Sequence, residues 1–173
     1  MIMRTYLYRP VTGIGDVKRD GLASRLIESP AGPLLIVESG GRLAEIRFAA
    51  GTEMDCGDTP VLRRAARQIA EYFAGRRRRF DLPLAPARTA FQERVRKAML
   101  DIPYGQTRTY GELAHSAGGA PRAVGQACGA NMLPLVVPCH RVVASTGLGG
   151  YSGGKGLATK LFLLALERSA IAG

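Results

Sequence analysis

Tryptophan is absent from this chain, and histidine is nearly so, with only His115 and His140. Three cysteines (Cys56, Cys128, Cys139) form an odd set without CxxC spacing. They supply neither a disulfide framework nor the ligands of a structural zinc site, so no metal and no cofactor are expected. Long apolar runs are missing too. Nothing approaches the roughly 18 residues that a membrane span needs. Met1-Ile2-Met3-Arg4-Thr5-Tyr6 has no signal-peptide core, so a soluble cytoplasmic protein with no membrane partner is expected. Acidic residues are scarce as well. Fourteen Asp and Glu stand against 24 Lys and Arg, for a net charge of +10 and a pI near 10.2. Such a balance points to a polyanionic partner, most often nucleic acid, with an acidic membrane surface second.

What is present centres on Leu133-Pro134-Leu135-Val136-Val137-Pro138-Cys139-His140-Arg141-Val142-Val143. The apolar residues before Pro138 read as a buried strand, and the residue before a proline is pushed toward extended geometry. Cys139 then falls where the chain turns. In an extended chain Cys139 and His140 point to opposite faces, so their partnership needs a bend or a bridging water. Two neighbouring cations would lower the thiol pKa and favour the nucleophilic thiolate. A buried structural cysteine at a strand end is the other reading of the same residues.

The first twenty residues read as a loosely tied lead-in. Leu26-Ile27-Glu28, Leu34 to Glu38 and Leu43 to Phe48 alternate or cluster as strands. Pro30 to Pro33 and Ser39-Gly40-Gly41 are the turns, which gives a small antiparallel sheet. Residues 50 to 58 form an acidic loop around Cys56. Thr59-Pro60 starts a helix whose Leu62, Ala65, Ala66, Ile69, Ala70 and Phe73 recur at helical spacing until Gly75. Arg76 to Arg79 follows as a solvated loop that adds to the attraction for phosphate. The Pro83 and Pro86 region marks a boundary near residue 85, which separates 1–84 from 85–173.

A helix over Thr89 to Leu100 opens the second half. Thr109-Tyr110-Gly111-Glu112 has capping-box spacing for a helix to about Ser116, Gly118-Gly119 turns, and Pro121 starts a helix rich in Ala and Gly. This is a helix-turn-helix outline, and the small residues suit either close approach to DNA or tight helix packing. Gly149 to Lys155 fits GxxxxGK, but Gly156 follows where a phosphate-binding loop needs Ser or Thr. The last helix runs from about Leu157 to Arg168. Its Glu167 lies toward the apolar side and near a helix C-terminus, so it calls for a partner unless the terminus is frayed and exposed.

Pro138-Cys139-His140-Arg141, with Asn131 upstream, Tyr151-Ser152-Gly153-Gly154 downstream and a terminal helix ending in Glu167, resembles the O6-alkylguanine-DNA alkyltransferases. The likeness is strongest from Thr89 to Glu167. It implies an α+β protein, with a ribonuclease H-like N-terminal sheet and helix and a mostly helical winged helix-turn-helix C-terminal domain. The implied reaction is single-turnover transfer of an alkyl group from guanine O6 in double-stranded DNA to Cys139. By the same resemblance His140 is the base, Glu167 orients it, Asn131 positions the acceptor turn and Tyr110 is the general acid. Arg122 is the finger entering the base stack, on a helix whose Ala123, Gly125 and Gln126, together with Arg141, meet DNA. Val142, Tyr151, Ser152, Gly153 and Lys160 surround the flipped base. A monomer is expected, with the sequence silent on cooperative assembly along DNA. Some members hold zinc in the N-terminal domain, for which no ligands are evident here. Cys128, Ala130 and Met132 depart from the commoner pattern, which bears on DNA affinity. Rival expectations are a non-catalytic alkyltransferase-like lesion binder and a multiple-turnover Cys-His hydrolase.

Overall fold

The structure, a computed structural model, describes residues 21–49 and 55–172. The expected lead-in and most of the acidic loop at 50–54 lie outside the described residues. A three-stranded antiparallel sheet in the order β1-β2-β3 comes first, built from Leu22–Ile27, Leu34–Ser39 and Arg42–Phe48. Gly40 and Gly41 both take positive φ (56° and 75°), the geometry a two-residue hairpin requires. Leu34, Leu35 and Ile36 of the central strand are all buried, so this strand is covered on both faces. Backbone bonds between Ser24 and Cys56 add a short bridge to the outer edge of β1.

α1 spans Pro60–Phe73, and Thr59 caps it by accepting from the Leu62 amide at 3.2 Å. Its buried stripe is Leu62, Ala65, Gln68, Ile69 and Tyr72. α2 spans Ala90–Leu100 behind a Thr89 cap. β4 (Arg108–Thr109) leads into α3 (Tyr110–Ala117), whose start is the expected capping box between Thr109 and Glu112. Gly118 ends α3 in the left-handed region, and a Cβ on Gly119 would stand 2.6 Å from the Phe91 ring. Only glycine lets α4 (Pro121–Gly129) turn so closely over α2. α5 spans Leu157–Ala172, longer at its C-terminus than the sequence reading.

Residues 133–137 are not the expected strand. They form a buried turn, closed by Val137 N donating to Leu133 O at 2.8 Å, with Leu135 at φ 73°. Asn131 clips this turn, since its Nδ2 donates to Val137 O (2.9 Å) and its Oδ1 accepts from Leu133 N (3.1 Å). An apolar run of five reads alike as strand or buried loop when its backbone partner is a side chain. The turn delivers a short 3-10 helix, Cys139–Arg141, and then β5 (Val142–Val143), which pairs in parallel with β4.

The fold is α+β, as the sequence implied. Its two halves share one core, in which Leu34, Ile36, Ile69 and Tyr72 of the first pack continuously with Val95, Leu113, Leu135 and Leu163 of the second. Backbone bonds join the halves as well: Ala85 N to Leu43 O, and Ile46 N to Met132 O. The last of these ties β3 directly to the acceptor turn. Among the described residues, no helix is long and apolar enough to cross a membrane.

Candidate active site

Cys139 begins the 3-10 helix and opens on a cleft of about 600 Å³ between α4, the 149–154 loop and strand β3. This three-residue 3-10 helix solves the geometric problem posed by adjacent Cys and His. Cys139 is half-buried at the cleft, while His140 is fully buried behind it. His140 Nε2 lies 2.7 Å from Glu167 Oε1, and its Nδ1 meets no partner among the described residues. Because Glu167 is ionised, a neutral imidazole must present Nε2–H to it, and Nδ1 then carries the free lone pair.

Glu167 is the best-connected side chain of the site. Oε1 also accepts from Tyr72 Oη (2.8 Å) and Arg141 Nη2 (3.0 Å), and Oε2 from Arg141 Nε (2.9 Å) and the Gly105 amide (2.8 Å). Burial alone would raise its pKa, but hydrogen bonds from His140 and Arg141 and the Arg141 charge outweigh it and bring the carboxyl down to about 2. The partner that the sequence called for is thus a cluster, which overcomes the unfavourable placement near a helix C-terminus.

Arg141 needs a correction. Expected at the DNA surface, it is only 5% exposed, and its guanidinium is taken up by Glu167, the Ile102 carbonyl (2.8 Å) and the Tyr104 ring. It therefore neutralises the buried carboxylate and leaves no face for phosphate. The expected lowering of the thiol pKa is reversed for the same reason. Burial pushes the Cys139 thiol up, and hydrogen bonding from Asn131 and the charge of Lys160 offset this only in part. Burial also holds His140 below its usual value. At neutral pH the pair rests as thiol and neutral imidazole.

Lys160, expected around the base, is fully buried and does not line the cleft. Its Nζ donates to Val142 O (2.6 Å), Leu148 O and Gly150 O (3.2 Å), so it clamps the loop that does line it. Tyr151, Ser152 and Gly153 do line the cleft. Tyr110 stands across from them, its hydroxyl 3.4 Å from Gly150 O and its ring against Gly149, where a Cβ would approach to 2.9 Å. Burial raises the Tyr110 pKa, so the phenol keeps its proton. The glycines of the 149–154 loop serve this close packing. Arg122 and Gln126 are exposed on α4, Ala123 and Gly125 are half-buried there, and Gly125 reaches the cleft.

Sequence reasoning missed two contributions from the first half of the chain. Tyr72 reaches Glu167 from α1, and Glu45 and Phe48 of β3 wall the cleft. A tyrosine on the buried face of a helix was the one available signal, because its hydroxyl must find a partner. Cys128 also borders the cleft, but its sulfur packs on Met99 Sδ (3.7 Å), and burial pushes its pKa up to about 12. It is an inert packing residue.

Residues 22–86 match the ribonuclease-like domain of 6-O-methylguanine DNA methyltransferase, and residues 90–169 match the DNA-binding domain of the same family. A methylated-DNA--protein-cysteine methyltransferase of Methanosarcina acetivorans is 44% identical over 153 residues, covering 83% of this chain and 97% of the relative. The constitutive enzyme of that name in Bacillus subtilis is 41% identical, covering 82% and 92%. The crystal structure of the Mycobacterium tuberculosis O6-methylguanine methyltransferase superposes with a TM-score of 0.77 at 42% identity, over 86% of this chain and 94% of that one. The Mycobacterium tuberculosis protein solved in complex with DNA gives 0.76 at 45%, over 85% and 93%. Fold and site together define a thiol-bearing protein of the DNA-binding class. The chain belongs to the 6-O-methylguanine DNA methyltransferase family.

Proposed function

We propose that this protein repairs double-stranded DNA by moving an alkyl group from O6 of guanine to its own Cys139, once per molecule. The observation that carries the reading is the arrangement behind the thiol: a half-buried cysteine on the cleft, a neutral buried imidazole with its Nδ1 free, and an ionised carboxylate fixing the other nitrogen. This is the nucleophile, base and orienter logic of a triad. His140 takes the thiol proton through a bridging water. The sulfur forms its bond to the alkyl carbon as the carbon–O6 bond breaks, and the electron pair leaves with guanine. Tyr110 protonates the departing base, and its phenolate then recovers through solvent the proton held on His140, so the net result is one proton moved from the thiol to guanine. The thioether formed is not readily displaced, which makes the reaction stoichiometric.

Reaching O6 requires extruding the base, at a cost of a few kcal/mol. Arg122, exposed at the start of α4, fills the gap, while Ala123, Gly125 and Gln126 let the helix approach the minor groove. Tyr151, Ser152 and Gly153 wall the extruded base and the Cys139 carbonyl accepts from its exocyclic amine, whereas Val142, expected in the pocket, is fully buried behind the cleft with its carbonyl held by Lys160. Asn131 holds the acceptor turn, and the protein works as a monomer in which the unit beyond residue 85 carries the chemistry and the first unit supports it. With Cys139→Ser, duplex binding persists and transfer from O6-methylguanine DNA vanishes; transfer at an undiminished rate would refute the assignment. Arg122→Ala slows reaction with duplex DNA far more than reaction with the free base, and equal slowing on both would refute the finger role.

A further inference from the structure

Tyr72 lies on α1, outside the unit that carries Cys139, and its hydroxyl reaches the centre of the site. It is fully buried, donates to Glu167 Oε1 at 2.8 Å and lies 3.4 Å from His140 Nε2. The rings of Phe73, Phe80 and Tyr104 stand around it at centroid distances of 5.3, 5.6 and 6.0 Å, so the phenol has no room to swing away. We propose that Tyr72 is a positioning residue of the alkyl transfer, acting through Glu167 to fix the tautomer and the basicity of His140. The inference rests on the reading of Cys139 as acceptor.

The argument begins with the proton count. A phenol has one proton, and at 2.8 Å against 3.4 Å it goes to Glu167 rather than to the imidazole. Burial, and then the nearby Glu167 charge, raise the Tyr72 pKa, so that proton is permanent. A permanent donor on Oε1 drains charge from the oxygen that also faces Nε2. That weakens the pull of Glu167 on a second imidazole proton, and His140 stays neutral and able to accept from the thiol. It also pins Oε1 beside Nε2, which keeps the neutral imidazole proton there and leaves Nδ1 basic.

Other groups set the background against which Tyr72 acts. Arg141 faces the cluster from the acceptor turn, the Gly105 amide and Tyr104 from the connection after α2, and Lys160 from α5. Arg78 stands over the far side of the Tyr104 ring at 5.9 Å. Arg141 and Lys160 already oppose a charged imidazole. Tyr72 is the only hydroxyl donor to Oε1 among the described residues, and removing it leaves the salt bridge to Arg141 intact.

With only His115 and His140 in the chain, imidazole ¹⁵N spectra of the full-length protein are readable, and His115→Gln assigns them. The wild type should show His140 protonated on Nε2 and titrating below the usual imidazole value. In Tyr72→Phe the His140 midpoint should rise by about half a pH unit, and the acid limb of the single-turnover methyl-transfer rate should move up with it. Duplex affinity should stay as in the wild type. An Nδ1–H tautomer in the wild type would overturn the proposal without recourse to any variant. So would a folded Tyr72→Phe that loses rate equally at every pH, because that is a packing effect. Failure of the wild type to methylate Cys139 would instead remove the reading beneath it, and the two failures are told apart by the mass of the wild-type protein.

Discussion

At the residue scale, the site trades a preformed thiolate for a thiol and base held ready. Burial raises Cys139 and lowers His140, so neither is charged at rest, and the single full negative charge behind them sits on Glu167. Two consequences follow. Tyr110→Phe removes the general acid and should slow transfer by about 10²-fold or more without changing duplex affinity, read by single-turnover kinetics and a binding titration. A collapse of affinity would make Tyr110 a binding residue. The second is acid stability. Glu167 has a folded pKa of about 2, below its ordinary carboxylate value, so its contribution is complete above that ordinary value and is lost as pH falls toward 2. His140, also lowered, adds a loss of the same sign as pH drops through its ordinary range. Glu167→Gln should therefore be less stable at neutral pH and show a flatter acid limb in denaturant titrations. An unchanged limb would place the acid-sensitive group elsewhere.

At the scale of elements, the acceptor turn depends on a strained residue held by packing. Leu135 sits at φ 73°, which costs a non-glycine residue roughly 1–2 kcal/mol, yet it is only 1% exposed. Emptying such a site costs about 2–5 kcal/mol, so burial outweighs strain. Leu135→Gly should thus destabilise the fold by about 2 kcal/mol in urea unfolding, although glycine suits the backbone; a gain in stability would mean that strain dominates.

Local chemistry made most elements legible in the sequence. Thr59-Pro60 and the Thr109–Glu112 capping box started helices where expected, and Gly40-Gly41 and Gly118-Gly119 turned the chain where expected. What stayed hidden depended on partners far along the chain. The apolar run at 133–137 is a turn because the Asn131 side chain, rather than a neighbouring strand, satisfies its backbone. Arg141 looked like a phosphate ligand, since nothing local shows that Glu167, 26 residues on, claims its guanidinium. Tyr72 was hidden further still, 95 residues from the carboxylate it serves.

At the scale of the molecule, a shared core makes the N-terminal unit part of the working site, through Tyr72 beneath Glu167 and Phe48 at the wall of the cleft. The arginine run after α1 is partly committed to the protein. Arg77 pairs with Glu71 at 2.6 Å, and Arg78 bonds the Ala170 carbonyl at 3.1 Å. The remaining charge, within a net +10, drives a weakly sequence-dependent attraction to phosphate that should fall steeply with salt. The central claim is that one sulfur is consumed by the reaction. Mass spectrometry of the intact protein after mixing with excess O6-methylguanine duplex tests it most directly. The account predicts the gain of a single methyl per chain, located by peptide mapping on Cys139, with repair ending at one equivalent. Continued repair by protein of unchanged mass, or a methyl found on Cys56 or Cys128, would contradict it.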